Sequence, residues 1–205
     1  MVTVRTRVVK IGGSLLELPD LAARFHRWHS ARDDCHDVCL VGGGAAVDEL
    51  RGHALDDVTA HWAAIDIMHR NALQLATELD IPVTTFDRLP RVPQPGATML
   101  DVVNFMREVE PRCSGTRLPA TWDVTSDAIA GRMAVVLGAN ELVLLKSRPA
   151  SHKTDDLESL ATDGLIDAFL PILRDEVPAV TFVDTRNQDS SQHSLAQRQP
   201  LVARR

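Results

Sequence analysis

The sequence predicts an α/β fold, a three-layer αβα sandwich around a mainly parallel sheet. Short, almost wholly apolar runs alternate with longer segments whose apolar residues recur every three or four positions. Strands that apolar must be covered on both faces, and helical connections supply the cover. Twice in the first fifty residues an apolar run is stopped by glycines and followed by a helical pattern. At 205 residues, 44% hydrophobic and 24% charged, the chain can bury one sizeable core. A single domain over 1–184 is expected, with 185–205, rich in Gln, Ser, Arg and Asn, a polar tail without order.

The β-branched run 8–11 reads as the first strand, ended by Gly12 and Gly13, with Ser14 placed to cap the helical segment after it. Residues 15–32 carry Leu15, Leu18, Leu21, Phe25 and Trp28 on one helical face, kinked or restarted at Pro19-Asp20. The run 37–41 is a second buried strand before Gly42-Gly43-Gly44 and a helical 45–51. Asp56 and Asp57 favour a helix start, and 57–79 is the longest helix, with apolar surface enough to serve a homodimer or larger homo-oligomer. A third strand is expected over 81–86 and a loop around Pro90, Pro93, Pro95 and Gly96. A helix over 99–109 and a loop over 111–121 follow. A helix over 126–137 closed by Gly138 then precedes a strand over 141–145. Polar loop and helix signals over 151–160, a helix over 165–173 and a last strand over 179–183 complete the alternation.

Composition excludes several functions. The formal charge of −6, the absence of tyrosine and the lack of a basic stripe argue against a nucleic-acid partner. No run approaches about twenty apolar residues and no secretory apolar region opens the chain, so a cytoplasmic protein without a membrane partner is expected. Cys35-His36 with Cys39 looks like half a zinc site, but no second pair follows, so no protein-bound metal is expected and the thiols are read as reduced.

The glycine turns match neither common phosphate fingerprint. A P-loop lysine follows its glycines, whereas Lys10 precedes Gly12, and the dinucleotide pattern needs a glycine where Val47 stands. Two readings remain, plain βα turns or an anion site; for the second, glycines let backbone N–H groups approach a phosphate, and the next helix start adds roughly half a positive charge. The stretch 118–146 adds a polar turn with Asp123, Thr125, Ser126 and Asp127, then a helix, then a strand ending in Lys146. Asp127 is open to two readings, orienter of lysines or helix-start acid. Asp123 is equally a contact to acceptor or magnesium, or a turn former. His61 is either an acceptor contact or a core-edge histidine.

In this order, VVKIGGSLL, LVGGGAAVDELR and WDVTSDAIAGRMAVVLGANELVLLK resemble the amino acid kinase superfamily of aspartate, glutamate and uridylate kinases, over roughly residues 5–183. The short length, the LP-x-x-WDVTSD form and the lysine of LLK are most similar to the small branch acting on (aminomethyl)furanmethyl phosphate in methanofuran-type cofactor biosynthesis. The resemblance implies an amino acid kinase-like fold, ATP with Mg2+, and a small anionic acceptor. It implies catalytic roles for Lys10, Asp127 and Lys146, and ATP-phosphate binding by Gly12, Gly13 and Ser14. On the acceptor it places Gly42, Gly43 and Gly44, and His61, Asp123, Thr125 and Ser126 are the further acceptor-binding candidates read from the residues themselves. The chain departs from many members in having Ser147-Arg148-Pro149 where they have D-V-D-G, and in lacking G-G-M-x-x-K. Lys146, Arg148 and Lys153 are therefore all candidates for the second cation. A carboxylate kinase and a non-catalytic nucleotide-binding module are the alternative readings.

Overall fold

The computed structural model describes residues 4–32, 34–149, 156–187 and 192–194. Strand β1 (Arg5–Ile11) leads through a 3-10 turn to α1 (Leu21–His29), and β2 (Cys35–Val41) to α2 (Ala45–Leu50) and the long α3 (Asp57–Glu78). The short β3 (Val83–Thr84) and β4 (Gly96–Leu100) precede α4 (Val102–Asn104), which runs into a π turn over Phe105–Val109. Helix α5 (Ser126–Leu137), β5 (Glu141–Lys146), α6 (Leu157–Thr162), β6 (Ala179–Asp184) and β7 (Gln192–Ser194) complete the order.

The sheet order is β3-β4-β2-β1-β5-β6-β7. All pairs from β3 to β6 are parallel, and β7 alone runs antiparallel, along β6. Because β2 lies on one side of β1 and β5 on the other, sheet growth reverses at β1. Such a switch point opens a crevice at the carboxyl ends of the strands. Lys10 is level with Leu40 of β2 and Leu144 of β5. Lys146 lies two residues beyond Leu144 and so points to the same face as Lys10.

Each face of the sheet has its own core, as a three-layer sandwich requires. Val8, Leu40, Leu142 and Leu144 pack with Ala128, Ile129 and Met133 of α5. Val9, Ile11, Val41, Val143 and Leu145 pack with Leu21 and Phe25 of α1. Helix α3 is capped by Asp56, whose carboxylate accepts from the Thr59 backbone N–H at 3.0 Å. It contributes Ile65 and Met68 to the first core and Ala72, Leu75 and Ala76 to the second. Most of its apolar surface is thus spent within the chain; Val58 and Leu73 are exposed. Among the described residues no helix is long and apolar enough to cross a membrane.

Several boundaries differ from the sequence expectation. The first strand begins at Arg5 rather than 8, and of the two outcomes expected at Pro19-Asp20 the chain restarts there: a 3-10 turn over Gly13–Glu17 ends before Pro19 and α1 begins at Leu21. The strand expected over 81–86 is only Val83–Thr84. The helix expected over 99–109 is wrong at its start: Met99 and Leu100 are buried in β4, and Asp101 then caps the following turn by accepting from the Asn104 N–H. Gly96, expected in a loop, opens that strand. The helix expected over 165–173 is a 3-10 turn over Leu170–Leu173, with Pro171 near its start. Of the stretch 151–160, read as polar loop and helix, residues 151–155 lie outside the described residues, and α6 begins at Leu157. Strand β7 falls within the stretch expected to be a polar tail, most of which also lies outside the described residues.

Polarity hid the first strand's true start. Arg7 is 1% exposed and forms a two-pronged pair with buried Asp37, Nε to Oδ1 at 2.6 Å and Nη2 to Oδ2 at 2.7 Å. His29 Nδ1 adds a contact to Oδ2 at 2.7 Å, and the Arg7 guanidinium lies over Trp28. Burial alone would lower the Arg7 pKa and raise that of Asp37. Their hydrogen bonds and charge attraction together outweigh it, so Arg7 is raised and Asp37 lowered.

Candidate active site

The site begins where two glycine turns meet. Gly12 N–H donates to Leu145 C=O at 2.8 Å and Gly42 N–H to Ile11 C=O at 2.9 Å, so both turns continue the ladders of β1. A Cβ on Gly13 would lie 2.1 Å from the backbone N of Gly44, and Gly44 itself has φ +60°. A Cβ on Gly42 would lie 2.8 Å from Gly13 N. Only residues without side chains let the turns touch in this way. Where α3 passes from one core to the other, the Asn71 amide donates to the carbonyls of Gly42 and Gly43, each at 3.0 Å. Ser14 Oγ faces Ser147 Oγ at 2.8 Å, joining the turn after β1 to the turn after β5.

Above this junction, both lysines of the sheet edge reach one carboxylate. Lys10 Nζ is 2.9 Å from Asp127 Oδ1, and Lys146 Nζ is 2.8 Å from Asp127 Oδ2. Lys10 and Asp127 are each 4% exposed. Burial would raise the Asp127 pKa, but the two ammonium charges override it and bring it to about 2. Burial likewise lowers Lys146, to about 8; Asp127 opposes that shift and Lys10 adds to it. The three groups carry a net positive charge at neutral pH, set in a protein interior where charge acts strongly.

Beside the glycines lies a cavity of about 250 Å³. Gly13, Ser14 and Gly42 to Gly44 line one side, and Ile65, Met68, Val124 and Ile129 give it apolar walls. Its polar groups include Thr125, Ser126, Asp48, His61 and Arg51. His61 is buried, which lowers its pKa against a weaker opposing hydrogen bond to the Thr121 backbone, so its ring is neutral near pH 7. Among the described residues Arg51 is the one Lys or Arg in the lining, and its guanidinium lies 4.5 Å over the ring of Trp122, which also lines the cavity.

The structure thus brings together Lys10, Asp127 and Lys146 at one point, and Gly13, Ser14, Gly42, Gly43, Gly44, His61, Thr125 and Ser126 around the adjoining cavity. Gly12 is bonded into the sheet edge. Asp123 is exposed and does not line the cavity. Of the other cation candidates, Arg148 donates to the carbonyls of Asp163 and Gly164, and Lys153 lies outside the described residues. Sequence reasoning missed Asn71, Arg51, Trp122 and Asp167. The last accepts hydrogen bonds at the start of α5 from 42 residues away, with no motif to mark it. Asn71 left one signal, an amide on a helix otherwise facing two cores.

Comparison with solved structures bears on the architecture. The uridylate kinase of Archaeoglobus fulgidus superposes with a TM-score of 0.52 and 17% identity over 86% of this chain and 89% of that one. The UMP kinase of Ureaplasma parvum gives 0.56 and 14%, covering 91% and 92% of the two chains. That of Bacillus anthracis gives 0.54 and 14%, covering 89% and 88%. The chain has the amino acid kinase fold. No protein-family model matches it, and no curated protein does. The likeness extends over nearly the whole of each of these chains.

Proposed function

We propose that the protein is an ATP-dependent kinase that moves the γ-phosphoryl group to a small phosphate-bearing acceptor. The acceptor implied by the sequence resemblance, (aminomethyl)furanmethyl phosphate, is the first to test. The observation that carries the reading is the pair of ammonium groups on one buried carboxylate, set at the switch point beside glycine turns and a cavity. Phosphoryl transfer needs in-line positioning and positive charge around the equatorial oxygens more than covalent help. Lys10 and Lys146 would supply that charge, and Asp127 would hold both. Gly12, Gly13 and Ser14 face the ATP phosphates in this reading. Gly42 to Gly44, Thr125, Ser126, His61 and Arg51 face the acceptor, while Asp123 is assigned to the turn.

An acceptor phosphate oxygen attacks the γ-phosphorus, the bond to the β–γ bridging oxygen breaks, and ADP leaves. The attacking oxygen is already ionised at neutral pH, so no general base is needed, and neutral His61 serves as a hydrogen-bonding wall. Among the described residues no group of three or more His, Cys, Asp or Glu could hold a metal ion. In this reading magnesium is the counter-ion carried by the ATP phosphates. The test is ADP formation from ATP-magnesium with (aminomethyl)furanmethyl phosphate, UMP, aspartate and glutamate in parallel. ADP formed with the furan phosphate supports the reading. ADP formed only with aspartate or glutamate makes the protein a carboxylate kinase. Calorimetric ATP binding with no ADP from any acceptor overturns transfer and leaves a nucleotide-binding module.

A further inference from the structure

The start of α5 is not capped by its own residue. Thr125 occupies the cap position, but its side chain makes no bond to the helix. Its hydroxyl donates instead to Asp167 Oδ2 at 2.8 Å, and the same oxygen accepts from the Thr125 N–H at 3.0 Å and the Ala128 N–H at 2.8 Å. Asp167 Oδ1 accepts from the Leu170 N–H at 2.8 Å. The N–H of Ala128, the third helical residue, is the group an ordinary cap side chain would satisfy. Asp127 lies between the two residues that Asp167 grips. No ion pair to Asp167 is found among the described residues, so this half-buried carboxylate is held wholly by backbone N–H groups and one hydroxyl.

We infer that Asp167 is a positioning residue: it fixes the first turn of α5, hence the Asp127 carboxylate, and through it Lys10 and Lys146. Its catalytic meaning rests on the kinase reading, while the placement of the lysines does not. An α5 capped by Thr125 alone would satisfy its N–H groups locally but would leave that first turn free of the segment around Leu170. Tied to Asp167, the turn is anchored from both sides, which suits a carboxylate that must hold two cations at hydrogen-bond distance.

The chain has three lysines, Lys10, Lys146 and Lys153, so side-chain ammonium NMR on 15N-lysine protein reads the site directly. Resonances are assigned with the single Lys→Arg variants. In Asp167→Asn, proton exchange at the Lys10 and Lys146 ammonium groups is expected to quicken about tenfold, the scale of one charge-assisted hydrogen bond. The melting transition should stay cooperative. Thr125→Val, which removes one donor, should give a smaller acceleration in the same direction, and it decides the matter if the Asn variant does not fold. A purely structural cap would lower the melting temperature and leave both exchange rates unchanged; that result overturns the inference. Steady-state kinetics form the second arm, with kcat expected to fall and the KM for ATP to hold. If wild type forms no ADP with any acceptor while the lysine exchange still responds, the kinase reading fails and the positioning role stands.

Discussion

Gly13 and Gly44 meet backbone to backbone, so closely that a Cβ on Gly13 would lie 2.1 Å from the Gly44 nitrogen. Gly13→Ala must therefore push apart the turns after β1 and β2. The expected cost is about 1–3 kcal/mol of stability, the range for overpacking. Denaturant unfolding of the variant checks it, and an unchanged midpoint would mean that the turns can part freely.

Asp127 is the shared partner of two buried cations. From sequence alone, Asp127→Asn loses activity with little loss of stability if Asp127 orients the lysines, and about 1 kcal/mol of stability with no loss of activity if it is a helix-start acid; burial of the cluster changes both expectations. Removing the carboxylate leaves Lys10 and Lys146 facing each other, and breaking a buried pair costs about 3–5 kcal/mol. A lower unfolding midpoint together with lost turnover is predicted. Loss of stability with full turnover would reduce Asp127 to a helix-start acid.

The titration of the cluster gives two windows of opposite sign. Asp127 falls from 3.8 to about 2 on folding, so its stabilisation is present above pH 3.8 and is lost as pH drops through about 2. Lys146 falls from 10.5 to about 8, so between those values the unfolded chain holds a proton that the folded one lacks, and stability rises with pH. Activity should move the other way there, because the neutral amine no longer attracts phosphate. The predicted profile of kcat/KM for ATP declines above pH 8, about tenfold per unit for a single group. Lys146→Arg should remove that decline while keeping the acid limb.

Asp37→Ala tests the buried charge that serves the fold alone. Arg7 would lose both of its bonds, at an expected cost of about 3–5 kcal/mol. Its position four residues before the carboxyl end of β1 predicts that turnover per folded molecule is unchanged. A drop in kcat at full folding would tie this cluster to the site.

The alternation of apolar runs and helical patterns showed the layered architecture because burial on both faces demands it. Lys10, Asp127 and Lys146 were legible as charged residues placed at strand or helix ends. Arg7 concealed the length of β1, since only its pairing with Asp37 on β2 explains the burial of either charge. Met99 and Leu100 fit a helical spacing as well as a strand, and the neighbouring β2 decides between them. Asn71 and Asp167 act on residues 28 to 42 positions away, which no local pattern encodes.

Turnover of Lys10→Ala at saturating ATP, set against wild type, tests the shared-carboxylate site most directly. The predicted result is a loss of about two to three orders of magnitude, the scale for one preorganised electrostatic group. The variant should remain folded, because Lys146 still neutralises Asp127. Near-wild-type turnover from a folded Lys10→Ala protein would contradict it.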